Sequence, residues 1–383
     1  MRPACVCALL LFGCSTRTAP SSSEGSGHAA AKPHVQLAPA ASVLARDGGR
    51  SATGFVLEGG IVFGVGKQNL LIDAGHVVAV GVSDDAAERV VNVTGRFIVP
   101  GFIDSHVHLA YYPEGAAELA SNGIVAVLDL AAPLTALSVD HAPLRVLDAG
   151  PMITAPAGYP TNSWGANGYG LSVASPSAGA AAVEMLFKAG VKAIKVPLTT
   201  APTLDDATVK AVVLAAHAHG LKVYTHALEE KNAARAAADG IDVLAHTPTE
   251  ALSDATLEAW KARTVISTLS AFGGGQAALK NLHDLRERGA RVLYGTDFGN
   301  TRETGVQSQE VSLLTTAGFD GASIVRAGTS VPAEFLGLTD LGSLEVGKRA
   351  SFLVLSADPS VDPHTLCKPI AVYVDGVMAS AGL

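Results

Sequence analysis

Short apolar runs recur through the middle of the chain, separated by stretches that read as helices. The runs are Phe97–Ile103, Ile124–Leu130, Leu144–Leu147 continuing to Ile153, Ala193–Val196, Leu221–Thr225, Asp242–Ala245, Thr264–Thr268 and Val292–Gly295. Their length and β-branched content suit buried strands. Among the intervening helices are Ala178–Ala189, Asp205–His219 and Glu229–Ala238. Gly190, Gly220 and Gly240 follow them closely, and glycine tolerates the left-handed conformation that ends a helix. Eight strands with helical crossovers predict an α/β fold, a (β/α)₈ TIM barrel over residues 99–340.

The flanks have a different pattern. Gly54–Leu57, Ile61–Phe63, Asn69–Ile72 and His76–Val80 are short runs split by glycine, and Ala350–Leu355 and Ile370–Val377 match them in character. They predict small antiparallel strands and tight turns. Chain ends of a domain often meet in space, so residues 51–98 and 341–383 are expected to form one β-sandwich domain.

The N-terminus resembles neither part. Met1-Arg2 followed by the apolar segment Val6–Phe12 has the layout of an export signal, and the segment is too short to span a bilayer. Residues 15–50 are rich in Ser, Ala, Pro and Gly without periodicity, the composition of a tether. The net charge of −8 and the lack of a Lys/Arg cluster argue against a nucleic-acid partner. Of four cysteines, Cys5 and Cys7 fall in the signal, Cys14 at its end, and Cys367 alone in the folded part. An internal disulfide there is therefore not expected.

In a barrel the chemistry lies at the C-terminal ends of the strands. Strand one ends in His106 and His108, whose i, i+2 spacing turns both imidazoles to one side. Strand four ends near Lys195, strand five at His226, strand six at His246 and strand eight at Asp297. Each has an ordinary reading when taken singly: the histidines as satisfied core residues, Asp297 as a turn former, Lys195 as a side chain snorkelling outward. Together they place groups able to bind a metal at successive strand ends in one register. If Lys195 points inward, burial lowers its pKa and yields neutral amine, which can add carbon dioxide to become a carbamate.

This set resembles the amidohydrolase superfamily in its binuclear form with a carboxylated lysine. The likeness is carried by Val99–His108, Gly295-Thr296-Asp297 and Gly342–Lys348. Within the superfamily the chain resembles imidazolonepropionase-like proteins and metal-dependent Xaa-Pro dipeptidases. The resemblance implies that His106, His108 and Asp297 hold one divalent metal, with zinc the expected ion. His226 and His246 would hold a second, with carboxylated Lys195 bridging the two. It also implies hydrolysis of an amide, cyclic amide or peptide-like bond in a small molecule through a metal-bridging hydroxide, with Asp297 as the proton carrier. A lactonase or phosphotriesterase using the same groups, or an inactive ligand-binding lipoprotein, are the alternatives. The loop Ala155–Gly165 lacks the Gly-Gly-His element of several relatives, which leaves the substrate open. Tyr159, Trp164 and Tyr169 in the loop region, and Arg302 after strand eight, are candidates for shaping the substrate site. Separately, Leu11-Phe12-Gly13-Cys14 resembles the lipobox of bacterial lipoproteins. That likeness implies a signal peptide over residues 1–14, lipidation of Cys14, and a membrane anchor in the cell envelope outside the cytoplasm.

Overall fold

The computed structural model describes residues 54–381. Five strands come first: β1 (Phe55–Val62), β2 (Gly66–Asp73), β3 (His76–Val80), β4 (Arg89–Asn92) and β5 (Phe97–Pro100). Ten mostly short strands follow, β6 (Phe102–Val107), β7 (Ile124–Asp129), β8 (Arg145–Asp148), β9 (Met152–Thr154), β10 (Gly170–Ser172), β11 (Ala193–Pro197), β12 (Lys222–His226), β13 (Val243–Leu244), β14 (Thr264–Ile266) and β15 (Arg291–Leu293). The last three are β16 (Phe352–Leu355), β17 (Ala371–Val374) and β18 (Val377–Ala381).

Strands β1–β5 and β16–β18 make one eight-stranded sheet, so both flanks of the described chain do join. The seam is the antiparallel pair β16 and β5, with Phe352 opposite Pro100. Phe55, Leu57, Leu70 and Phe352 are buried there, and Phe352 stacks on Tyr373 with ring centroids 4.7 Å apart. The expected first strand is divided at Gly101. Its first half belongs to this sheet, and its second half opens β6. A Cβ on Gly101 would lie 2.4 Å from Val125 Cγ1, so only glycine lets the chain pass this close to β7.

The middle of the chain is parallel α/β. Strands β6, β7 and β8 form one parallel sheet, and β11 to β15 form another in sequence order. Backbone bonds reach between them at both sides. Ser105 N–H donates to Tyr294 O and Asp297 N–H to His106 O, both at 2.9 Å, while Lys192 N–H donates to Asp148 O at 2.7 Å. The helices Pro176–Lys188, Asp206–Ala218, Glu230–Ala238 and Gln276–Glu287 connect the strands of the second sheet or lead into it. Ser175 and Asp205 cap the first two of these by accepting from Ala178 N and Thr208 N. Gly190, Gly220 and Gly240 take positive φ just beyond the first three helices, as their placement in the sequence predicted. The expected third strand is two strands, β8 and β9, because Gly150 (φ +68°) and Pro151 interrupt it.

No helix among the described residues is long and apolar enough to cross a membrane. The expected signal, Cys14 and the tether lie outside the described residues.

Candidate metal centre

β6 carries Asp104, His106 and, one residue past its end, His108 on one face, because alternate residues of a strand point the same way. His106 is fully buried and His108 is 2 % exposed. The chain beyond β15 folds back so that Asp297 meets both. His108 Nε2 lies 3.2 Å and His106 Nε2 3.5 Å from Asp297 Oδ1, and the two Nε2 atoms are 3.3 Å apart. One ligand atom from each of the three falls within 4.8 Å of the others. Asp297 adopts φ +57°, a left-handed conformation that aspartate tolerates better than most residues. Gly299 comes so near that a Cβ there would sit 2.3 Å from His108 O.

His246 and His226 adjoin this group. The His106 and His246 ring centroids are 4.3 Å apart, and those of His226 and His246 are 4.8 Å apart. His106 Nδ1 lies 2.7 Å from Ala245 O, a contact only an N–H can make, so its Nε2 keeps a free lone pair. His246 Nδ1 is held 3.0 Å from Thr268 Oγ1, and Thr268 itself takes φ +38°, strained for a β-branched residue. Burial, reinforced by the charge of Lys195, keeps His226 down at about 3 and His106 well below the usual imidazole range. His246 is also held well below that range, by burial and the neighbouring imidazoles. Such imidazoles are neutral at pH 7, the form that binds metals.

Lys195 resolves in favour of the inward orientation. It is completely buried, whereas its neighbour Lys192 is exposed. Its Nζ has no hydrogen-bond partner among the described residues, and neither does His108 Nδ1. Burial outweighs the attraction of Asp297 and Asp129 and brings the amine down to about 7. Burial pushes Asp297 up, but the hydrogen bond with His108 and the charges of His106, His108 and Lys195 prevail and hold it at about 2. A buried amine without an acceptor is costly by itself. It suits a group that a further ligand completes, and the neighbouring neutral imidazoles and ionised carboxylate form a donor set typical of divalent-metal sites.

Around these groups is a cavity of about 360 Å³, reached by His108, Lys195, His226, His246 and Asp297. Tyr159 and Trp164 line it. Tyr169 stands behind them, its hydroxyl donating to Ala110 O at 2.9 Å and its ring 5.4 Å from that of Trp164. Arg302 is not part of the wall. Its guanidinium lies over the Tyr112 ring at 4.2 Å and the Tyr111 ring at 5.8 Å. Two other described histidines pair elsewhere: His217 with Asp242 at 2.9 Å, and His219 with Glu184 at 2.7 Å.

Sequence reasoning passed over several supporting residues. Asp104 accepts from Thr296 Oγ1 at 2.5 Å and from the backbone N–H groups of Thr296 and His106 at 3.1 Å. Its place two residues before His106 was the available signal. Asp129 ends β7 and accepts from Ala110 N and Ala131 N, and burial lifts its carboxyl to about 6 against the pull of His108. It is a carboxylate at a strand end, the feature used to find the others. Met152, Leu228 and Phe272 complete much of the cavity wall.

Parallel strands delivering histidines and a carboxylate to one buried point define a class of α/β proteins built around such a cluster. Residues 97–379 match the amidohydrolase family, and the chain belongs to it. The adenine deaminase of Deinococcus radiodurans is 28% identical over 308 residues, which is 75% of this chain and 55% of the deaminase. The chain thus spans about half the length of that relative. An uncharacterized protein of Mycobacterium tuberculosis H37Rv is 24% identical over 360 residues, 79% of this chain and 94% of its own. Among solved structures, a Xaa-Pro dipeptidase with bound methionine superposes with a TM-score of 0.74 at 20% identity, over 86% of this chain and all of that one. A putative prolidase from Bifidobacterium longum gives 0.72 at 23% identity, over 85% and 94%. These two likenesses are of fold, which in this family is TIM-barrel-like α/β.

Proposed function

We propose that the protein is a metal-dependent amidohydrolase that cleaves an amide, cyclic amide or peptide-like C–N bond in a small molecule. The observation that carries this reading is Lys195, a fully buried amine without a hydrogen-bond partner among the described residues, facing the same cavity as His108, His226, His246 and Asp297. His106, His108 and Asp297 would hold one divalent ion, zinc by expectation, and His226 and His246 a second, with Lys195 as its carbamate between them. Bound there, the ions would supply a water acidic enough to attack at neutral pH and a Lewis acid for the carbonyl. The chain's own part is orientation and proton transfer. The Ala245 carbonyl fixes the His106 tautomer, Thr268 holds the His246 ring, and Asp297, ionised at neutral pH, takes the attacking water's proton and passes it to the leaving nitrogen. Family membership and the names deaminase and dipeptidase among the similar proteins agree on C–N bond cleavage.

The test is metal analysis of protein produced with ample zinc and bicarbonate, beside Lys195→Ala. About two ions per chain are expected in the wild type and fewer in the variant, together with loss of hydrolysis. A substoichiometric wild type, or activity indifferent to Lys195→Ala, refutes the binuclear site.

The same reading takes the two parallel sheets as one closed (β/α)₈ barrel over residues 99–340, and residues 51–98 and 341–383 as a β-sandwich domain. It places the protein in the cell envelope with a lipid on Cys14. Mass spectrometry of the mature N-terminus checks the last point, and an unmodified residue other than Cys14 there rejects it.

A further inference from the structure

The cavity wall has a composition of its own. Beyond the metal-centre residues it consists of Met152, Tyr159, Trp164, Leu228, Ala271, Phe272 and Asn300. Its aromatic groups come from two separate loops. Tyr159 and Trp164 pack with centroids 6.0 Å apart, and Trp164 also meets Tyr111 and Tyr169 at 5.6 Å and 5.4 Å. Phe272 meets His246 at 4.8 Å. This interlocked wall is preformed, so a flat apolar group can bury against it without ordering it first.

Charge is as informative as shape. Among the described residues the cavity is lined by no arginine and by no lysine except Lys195, and its carboxylate is Asp297. Arg302, the nearby cation and a candidate for shaping the substrate site, is instead stacked on Tyr112. An anionic group on the side of the substrate away from the metal centre would therefore lose its hydration against an apolar wall with no counter-charge. Wall polar groups are also committed. Asn300 Nδ2 donates to Asp297 Oδ1 at 3.2 Å, and Trp164 Nε1 donates to the Tyr159 hydroxyl at 2.9 Å. The Tyr159 oxygen thus accepts from Trp164, and no described residue accepts its own O–H, which remains available to a ligand.

We infer that the site takes a neutral amide flanked by an aromatic or bulky apolar group, and that the Tyr159 hydroxyl donates to the carbonyl oxygen of that amide. The inference rests on the reading of the protein as a C–N hydrolase. In the reaction the oxygen of one water bonds to the carbonyl carbon and the C–N bond breaks. One water proton, carried by Asp297, ends on the leaving nitrogen, so that a carboxylic acid and an amine are formed. Tyr159 keeps its proton throughout and stabilises the oxygen as charge gathers on it.

Three amides test the class with metal-loaded protein: N-ethylbenzamide, N-benzoylglycine, which replaces the methyl group with a carboxylate, and N-ethylacetamide, which lacks the ring. We expect kcat/KM for the first to exceed both others by at least about tenfold, the discrimination that one buried unpaired group or one lost apolar surface produces. Binding is read separately from tryptophan fluorescence with the non-hydrolysable pair N-ethylbenzenesulfonamide and N-(phenylsulfonyl)glycine, using Trp164→Phe to identify the responding residue. The neutral sulfonamide should bind at least about tenfold tighter. Equal or reversed preference in hydrolysis or in binding overturns the inference, and hydrolysis of N-benzoylglycine would then leave the hydrolase reading intact. If no amide is cleaved but the neutral sulfonamide is still preferred, the hydrolase reading fails while the neutral-ligand class stands. In Tyr159→Phe, kcat on N-ethylbenzamide should drop on the order of a hundredfold, with sulfonamide affinity within about twofold of wild type. An unchanged kcat rejects the role of Tyr159.

Discussion

Replacing Lys195 with methionine should make the metal-free protein more stable while disabling its site. The amine is wholly buried without a hydrogen-bond partner among the described residues, and burial, opposed by Asp297 and Asp129, takes it from 10.5 in the unfolded chain to about 7 in the folded one. At about 1.4 kcal/mol per pH unit, that gap means the folded state carries a penalty of about 5 kcal/mol below pH 7. The sign follows from proton counts. Between pH 7 and pH 10.5 the unfolded chain holds a proton that the folded chain has released, so stability rises with pH in this window as the penalty is relieved. Methionine, unbranched and of similar length, fills the space without a charge to desolvate. With metal removed by EDTA, Lys195→Met should melt higher than wild type at pH 6 to 7. The gain should be about 7 °C at most, taking roughly 1.5 °C per kcal/mol for a chain of this size. The advantage should shrink steadily toward pH 10. Thermal melts of the two proteins at unit pH steps supply the measurement. A difference that stays constant from pH 6 to pH 10, or a variant that melts below wild type at pH 7, would refute the argument.

Two further changes probe the scaffold around the centre. Glu310 is fully buried and accepts from Leu269 N at 3.1 Å and Ser270 N at 2.7 Å, so Glu310→Ala strands two donors and should cost about 3 kcal/mol in denaturant unfolding. Because those donors adjoin Thr268, which holds His246, the variant should also retain less metal after dialysis, and full retention would break that link. Gly299 has φ +105° and no room beside His108 O, so Gly299→Ala should displace His108 or Asp297. Metal content normalised to folded protein by circular dichroism should fall at least severalfold, and an undiminished value would show that the backbone can yield there.

Much of this fold was legible because its strands are short apolar runs and its helices stop at glycines. Where the reading failed, the missing information lay in the partner of a strand, not in the strand. Phe97–Ile103 reads as one run, yet Gly101 passes its two halves to different sheets, and periodicity does not say which neighbour a backbone group will bond. The cluster was legible for a related reason, since strand ends are the positions a parallel fold brings together. What escaped were contacts fixed by tertiary placement. Thr268 reaches His246 across 22 residues of sequence, and Glu310 lies on a helix, where a single glutamate reads as solvent-facing. Arg302 shows the converse. Nearness in sequence to Asp297 suggested a substrate contact, but the ring of Tyr112 captures the guanidinium outside the cavity.

The supports sit behind the cluster for a physical reason. Gathering neutral imidazoles, a buried amine and a carboxylate in one place sacrifices stability, and the atoms that face the cavity cannot be spent on holding each other. The restraint must then come from groups one step further back. Asp104 ties the backbone of His106 to Thr296, which sets the separation between the strand bearing two histidines and the turn bearing Asp297. Glu310 does the same for the loop that carries Thr268 and Phe272. The left-handed Asp297 and Thr268 are the residues these clamps restrain, so the strained positions coincide with the restrained ones. A scaffold that imposes this geometry before any ligand arrives has already met the ordering cost of the site, which is the condition for tight metal binding and for a water-derived nucleophile held at a fixed angle to its target.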